Sequence, residues 1–311
     1  MRGFLIALVI VGHIIQYVFS PLTYEQNIVF RAVYSFHMPA FMFLSGYVTS
    51  NKLTKKWVIS RCFSLLVTFF IWTCIKCTFN IERIIDCLIY VDRSFWFIQV
   101  LALVTMFAYF AVLLSSKIGV WAFAVVNIFL LVIPESYFGI GIAKFHFTWY
   151  ALGYIMPGRI SKISDEAKER VGKICSLMWV LFVIFWYRTG LPSFAASVHF
   201  DGLYGKIFYL FCKIYQIYVV PFLGIVMVSY IFHLLWKHIS SYEDILQFAG
   251  RYTMACYVLQ NYFFITPFSN RLINSVFSFV LAFFVPIGIG WIVAQSKWLN
   301  FILFCGKMPK K

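Results

Sequence analysis

Apolar residues run along this chain in long blocks, separated by short polar stretches in which lysines and arginines gather. A helix that crosses the hydrocarbon of a bilayer needs about 20 mostly apolar residues, and somewhat fewer where flanking groups snorkel. By that measure the blocks at 4–19, 28–48, 57–79, 95–114, 118–133, 142–156, 174–187, 214–236, 252–268 and 272–294 are candidate spans, the fifth to seventh being short. The predicted fold class is all-α, a polytopic transmembrane helical bundle of about ten transmembrane helices.

The polar stretches alternate in character, as a weave through a bilayer requires. If the first block enters from the cytoplasm, Arg2, Lys52, Lys55, Lys56, Arg61, Lys117, Arg159, Lys162, Lys168, Arg170, Lys173, Lys237, Arg251, Lys297, Lys307, Lys310 and Lys311 fall on one side. Lys76, Arg83, Arg93, Lys144, Arg188, Lys206 and Arg271 fall on the other, spread over longer loops. Basic loops stay inside, so both termini are expected in the cytoplasm. The loop at 158–173 contains SDEAKER and is expected to start a helix at Ser164. The segment 297–305 reads as a helix lying in the membrane interface. Without a repeat, a low-complexity tract or a linker to divide it, the chain is expected to be a single integral-membrane domain over 1–311.

Composition sharpens this picture. Hydrophobic residues make up 62% of the 311 and charged ones 12%, about half the charged fraction that a soluble surface carries. The net charge of +15 lies in clusters between apolar blocks, which orientation in a membrane accounts for better than a nucleic-acid groove does. Met1-Arg2 ahead of an apolar run resembles a signal peptide, but no A-x-A site follows and many further spans come after, so the run reads as the first membrane helix. Among eight cysteines, Cys74 and Cys77 form a CxxC without a second pair at metal-site spacing, and they read as small apolar packers. No metal site is expected, and neither a phosphate-cradling glycine loop, an HExxH pattern nor a GxSxG elbow is present.

Ionisable side chains inside a span are expensive, which makes each a functional candidate. The first two blocks hold the strongest, His13 in LVIVGHI and Arg31 and His37 in FRAVYSFHMPAFMFLSGY. Arg2 and His13 are eleven residues apart, so on a helix they return to within about 20° of one direction while rising about 16 Å. A guanidinium at the membrane surface and an imidazole deeper on the same stripe suit a donor with a phosphate head and a long thin arm, such as acyl-coenzyme A. The structural alternative is that Arg2 anchors the helix while His13 hydrogen-bonds a neighbour. His37 precedes Met38-Pro39, with Ser45-Gly46 further on, and a proline bend beside a histidine makes a pocket; a packing kink around a satisfied histidine accounts for the same residues. An imidazole can carry a proton to and from a hydroxyl, or can carry the acyl group itself.

Other candidates are weaker. His146 and Lys144, and His199 with Asp201, are expected near the outer side in solvated roles, while His233 and His238 look interfacial. Trp96, Trp149 and Trp291 fit an aromatic belt first and a sugar platform second.

The blocks RGFLIALVIVGH, YSFHMPAFMFLSGY, SFWFIQVLAL, FTWYALGYIM and LQFAGRYTMACYVLQNYFF, in that order, resemble the acyltransferase 3 family of multi-pass membrane acyltransferases, nearly from end to end. The resemblance implies an enzyme of about ten helices in the cell (inner or plasma) membrane that takes an acetyl or other short acyl group from cytoplasmic acyl-CoA. The acceptor it implies is a hydroxyl of a cell-surface or lipid-linked carbohydrate. Acetyl-CoA would be a co-substrate, with no bound cofactor and no nucleic-acid partner. Carried onto this sequence, Arg2 and His13 match the family's first-helix motif, His37 its second histidine and Trp96 an aromatic position. His13 and His37 are thus the catalytic candidates and Arg2 the donor-binding one, with Arg31, Trp96 and Trp149 as candidate substrate contacts. The chain departs from the family in having Met1 directly before Arg2 and in carrying Gln260 where relatives often have histidine.

Two other readings stand beside this one. A polytopic exporter of a glycan or lipid-linked intermediate would use helices broken at Pro39, Pro221 and Pro267, although neither symmetric halves nor an acidic relay is visible. A membrane acyltransferase of another type, loading long chains through a histidine and an asparagine, fits the paired early histidines less well.

Overall fold

The computed structural model describes residues 1–90, 95–134, 137–195, 202–238 and 242–306. Among them the regular structure is helical throughout, with no strand. In chain order the helices are α1 (Arg2–Ile14), α2 (Ile28–Tyr34), α3 (His37–Thr49), α4 (Lys55–Lys76), α5 (Ile81–Ile89), α6 (Trp96–Ile118), α7 (Trp121–Val132) and α8 (Ile140–Ile155). Then follow α9 (Pro157–Ile160), α10 (Asp165–Val183), α11 (Gly202–Ile214), α12 (Val220–His238), α13 (Tyr242–Arg251), α14 (Thr253–Leu259), α15 (Arg271–Val293) and α16 (Lys297–Phe304). A π-turn at Ile15–Phe19 extends α1, and another at Tyr215–Val219 joins α11 to α12.

Among the described residues, six stretches are long and apolar enough to cross a membrane: Arg2–Phe19, Ile28–Thr49, Lys55–Lys76, Trp96–Ile118, Gly202–Leu235 and Arg271–Ala294. The other four predicted blocks are also helical but shorter or more polar, forming α7, α8, α10 and α14. The 12 residues of α7 give a rod about 18 Å long, well short of a hydrocarbon core about 30 Å thick.

Local chemistry sets the helix ends. Asn27 accepts hydrogen bonds from Val29 N at 2.9 Å and Phe30 N at 3.2 Å, satisfying orphan donors at the start of α2. Ser164 caps α10 through Ala167 N, where the sequence placed a helix start. The second span breaks between Tyr34 and His37 because Pro39, in the first turn of α3, has no N–H for the Ser35 carbonyl one turn back.

The chain divides into two compact units interleaved along the sequence. The first comprises Met1–Phe41, Ser161–Thr253 and Leu259–Val285. Here α10 and α12 meet at Gly172, where a Cβ would come within 2.4 Å of the Tyr230 ring. The Phe36 ring stands edge-on to Trp179 at 5.7 Å, and Trp179 Nε1 donates to Ser35 Oγ at 3.3 Å. Trp186 Nε1 donates to Gln216 O at 3.1 Å, and the Tyr215 hydroxyl donates to Phe182 O.

The second unit comprises Met42–Ile160, Met254–Val258 and Pro286–Lys311. Helices α3 and α8 approach backbone to backbone through Gly46 and Gly153, where a Cβ would lie 2.0 Å from Tyr150 O and 1.9 Å from Phe43 O. The hydroxyls of Thr49 and Tyr150 bond at 2.8 Å beside that contact. Helix α16 docks on α4, whose Trp72 Nε1 and Thr68 and Ser64 hydroxyls donate to the carbonyls of Leu303, Ile302 and Gly306. Between α4 and α5 the chain turns through two left-handed residues, Thr78 (φ 50°) and Phe79 (φ 59°), a conformation that side-chain-bearing residues seldom adopt.

Candidate active site around His13

The continuous α-helical run from Arg2 to Ile14 preserves the stripe read from the sequence: Arg2 and His13 lie on one face, about 16 Å apart along the axis. Gly3 lets α13 close on the N-terminal end, since a Cβ there would be 2.3 Å from Leu246 O. Arg2 itself is exposed.

At the other end the His13 ring is enclosed by three aromatic rings, with centroids of Tyr17 at 5.9 Å, Phe264 at 6.2 Å and Tyr34 at 6.4 Å. The imidazole shares a side-chain hydrogen bond with Gln260, which is buried. His13 Nδ1 is buried and makes no hydrogen bond among the described residues. A buried ring nitrogen without a partner costs free energy, on the order of 1–3 kcal/mol, and is worth retaining where a substrate supplies the missing partner.

Tyr34 links this centre to the second histidine. Its ring packs on α1 at Gly12, where a Cβ would be 2.6 Å from Tyr34 Cε2, and its hydroxyl donates to Gln16 Oε1 at 3.1 Å. On its other side the His37 ring meets it edge-on at 4.7 Å. His37 is buried, and its Nδ1 donates to Val33 O at 2.8 Å, a carbonyl at the helix break that also accepts from Phe36 N. Since a carbonyl only accepts, this contact fixes the proton on Nδ1.

Two arginines border the aromatic group. The Arg188 guanidinium lies 5.0 Å over the Tyr34 ring. Arg31 lies 4.8 Å over Tyr187 and donates from Nη1 to Ile184 O at 2.8 Å, while its Nε is buried without a partner among the described residues. His13, His37 and Arg188 are thus gathered around Tyr34, while Arg31, one helical turn before it, faces Tyr187. Neither Tyr34 nor Gln260 was singled out as a contact from the sequence; the spacing of Arg31, Tyr34 and His37, each three apart, was the available signal for Tyr34.

A shallow apolar groove of about 330 Å³ opens between the first and last spans of this unit, lined by Val11, Ile14, Ile15, Val276 and Phe279, with Asn27 and Ser275 as its polar members. His13 does not line it.

Within the second unit, Trp96 stacks on His146 at 5.3 Å with 22° between planes, and His146 Nδ1 is buried without a partner among the described residues. Trp149 is 2% exposed and so stands inside the protein rather than in a belt, whereas Trp291 is 52% exposed. Lys144, expected in a solvated role, is 3% exposed, with Nζ bonded to Leu131 O at 3.3 Å. These expectations failed because α8 packs against α6 and α7 and takes the whole segment out of solvent. Arg93, His199 and Asp201 lie outside the described residues.

A family model described as an acyltransferase domain matches residues 1–295. The chain belongs to the acyltransferase 3 family. Among curated proteins, this acyltransferase-family chain is similar to Nodulation protein NolL of Mesorhizobium japonicum (strain LMG 29417 / CECT 9101 / MAFF 303099). The two are 26% identical over 221 residues, 66% of this chain and 55% of that protein. It is also similar to Nodulation protein NolL of Sinorhizobium fredii (strain NBRC 101917 / NGR234), 25% identical over 215 residues, 63% of this chain and 57% of that protein. The chain spans little more than half the length of these curated relatives. No solved structure matches it.

Proposed function

We propose that this protein is a membrane O-acyltransferase that moves an acetyl or other short acyl group from cytoplasmic acyl-CoA to a hydroxyl of a cell-surface or lipid-linked carbohydrate. The observation that carries the reading is the buried, unpartnered Nδ1 of His13, held by Gln260 on the same helix stripe as Arg2. With the N-terminus in the cytoplasm, Arg2 meets the donor's phosphates at the inner leaflet and the pantetheine arm runs along α1 toward His13. Acetyl-CoA is thus a co-substrate, and the chemistry needs no resident cofactor.

In the reaction, His13 accepts the proton of the acceptor hydroxyl as its oxygen attacks the thioester carbonyl. The carbon–sulfur bond breaks, and the departing thiolate of coenzyme A takes the proton back from the ring. Gln260 holds the imidazole in register, while His37, its proton fixed on Nδ1 by Val33 O, orients the Tyr34 ring. Arg31 and Arg188, with the rings of Tyr17, Tyr34 and Phe264, form the acceptor's surroundings and suit a hydroxyl-rich or acidic sugar. Within the second unit, Trp96 and Trp149 remain the candidate substrate contacts.

The test is transfer of labelled acetyl from acetyl-CoA to membrane glycan by purified protein. His13→Ala should lower the rate by about 10²–10⁴-fold with folding intact. Wild-type transfer retained in that variant refutes the assignment. Failure of the wild-type protein to turn over labelled acetyl-CoA removes the reading altogether.

A further inference from the structure

The thiols of Cys77 and Cys87 lie 3.7 Å apart, sulfur to sulfur. Cys77 closes the C-terminal end of α4 and is 5% exposed; Cys87 is half-buried, on the second turn of α5. The sequence reading took Cys74 and Cys77 as small apolar packers; the fold brings Cys87 to Cys77. What makes the approach possible is the reversal through Thr78 and Phe79, which turns α5 back against the end of α4. Phe79 N bonds Cys74 O and Asn80 N bonds Cys77 O, both at 3.0 Å, and Asn80 then caps α5 through Arg83 N at 3.1 Å. The far end of α5 is tied as well, Gln99 Nε2 donating to Leu88 O at 3.2 Å and Phe138 N to Ile89 O at 2.8 Å. Both thiols are therefore held in place by ordered backbone on either side.

Their side of the membrane follows from charge. Lys52, Lys55, Lys56 and Arg61 gather at the N-terminal end of the Lys55–Lys76 span, the end that the positive-inside bias keeps in the cytoplasm. One crossing later, Cys77 and Cys87 emerge on the opposite, extracytoplasmic side, where disulfides persist.

We propose that Cys77 and Cys87 form a disulfide that staples α5 to the end of α4. The more accessible Cys87 thiolate attacks an exchangeable disulfide of an extracytoplasmic thiol oxidant, displacing one of its sulfurs as a thiol and leaving a mixed disulfide. The Cys77 thiolate then attacks the Cys87 sulfur and releases the oxidant's second thiol. The pair gives up two electrons and the oxidant gains them, the two thiol protons ending on the oxidant. Only small side-chain rotations separate 3.7 Å from a bond of about 2.05 Å.

The test needs only the wild-type protein. Membranes are quenched in acid and dissolved in denaturant at neutral pH with an alkylating reagent, and the purified protein is digested without reduction and mapped by mass. The expected result is a peptide linking Cys77 to Cys87, lighter by two thiol hydrogens, with the other cysteines alkylated; Cys87→Ser should make Cys77 alkylatable. Alkylation of both Cys77 and Cys87 in the wild-type protein overturns the proposal. An impermeant maleimide that labels Cys87 on intact cells would identify an outward-facing pair left reduced. The acyl-transfer assay reads out separately, so neither result bears on His13.

Discussion

Gln260, far along the chain, shares a hydrogen bond with the imidazole of His13 on the first helix. The contact fixes ring orientation from a short 3₁₀ turn at Gln260–Phe263, whose neighbour Phe264 also packs on the ring. Replacing Gln260 by leucine keeps the bulk but removes the amide. Acyl transfer should then fall by roughly ten- to hundredfold, the rate equivalent of about 1–3 kcal/mol. Gln260→His should retain more activity than Gln260→Leu, since it keeps a polar ring at that place. Equal rates for all three proteins would dismiss Gln260 as a positioning residue.

Arg2 should act on donor binding alone. Arg2→Ala is expected to raise the KM for acetyl-CoA by roughly tenfold, about 1.4 kcal/mol, with kcat little changed. Initial rates over a range of donor concentration separate the two parameters, and a fall confined to kcat would place Arg2 elsewhere in the cycle.

Arg188 covers the ring that touches both histidines. Removing a cation from a tyrosine face costs about 0.5–2 kcal/mol, so Arg188→Ala should raise the acceptor KM by roughly two- to thirtyfold. Arg188→Lys should recover part of the loss. An unchanged acceptor KM in Arg188→Ala would leave Tyr34 without an electrostatic partner in substrate binding.

Stability in the second unit hinges on the glycine contact between α3 and α8. Gly153→Ala places a methyl group 1.9 Å from a backbone carbonyl oxygen and should cost at least about 1–3 kcal/mol, seen as a lower thermal midpoint in detergent. Gly288→Ala is the control: its Cβ would meet nothing within 4 Å, and the variant should melt no earlier than wild type.

Much of this architecture could be read from polarity alone. Hydropathy located the long spans, since lipid imposes that pattern directly, and the Arg2–His13 stripe followed from helical pitch. The break ahead of His37 was foreshadowed by Pro39. What polarity could not convey was partnership. Tyr34 looks unremarkable in an aromatic-rich chain, and Gln260 stood out only as a departure from the family; the contacts of both come from neighbours distant in sequence. Lys144 and Trp149 misled for the complementary reason: a lysine or tryptophan near a span end is ordinarily interfacial, and only the packing of α8 shows both enclosed. Nor do uniformly apolar helices announce which of two interleaved units they join.

The π-turn at Ile15–Phe19 gives the first span one surplus residue just past His13. Gln16, which receives the Tyr34 hydroxyl, and Tyr17, which flanks the imidazole, both owe their directions to it. Losing a single apolar residue there would leave the hydropathy profile almost untouched, yet would close the wide turn to an α-turn and re-aim Gln16 and Tyr17. Length between His13 and Phe19 therefore matters more to the site than which aliphatic side chains fill Ile14, Ile15 and Val18.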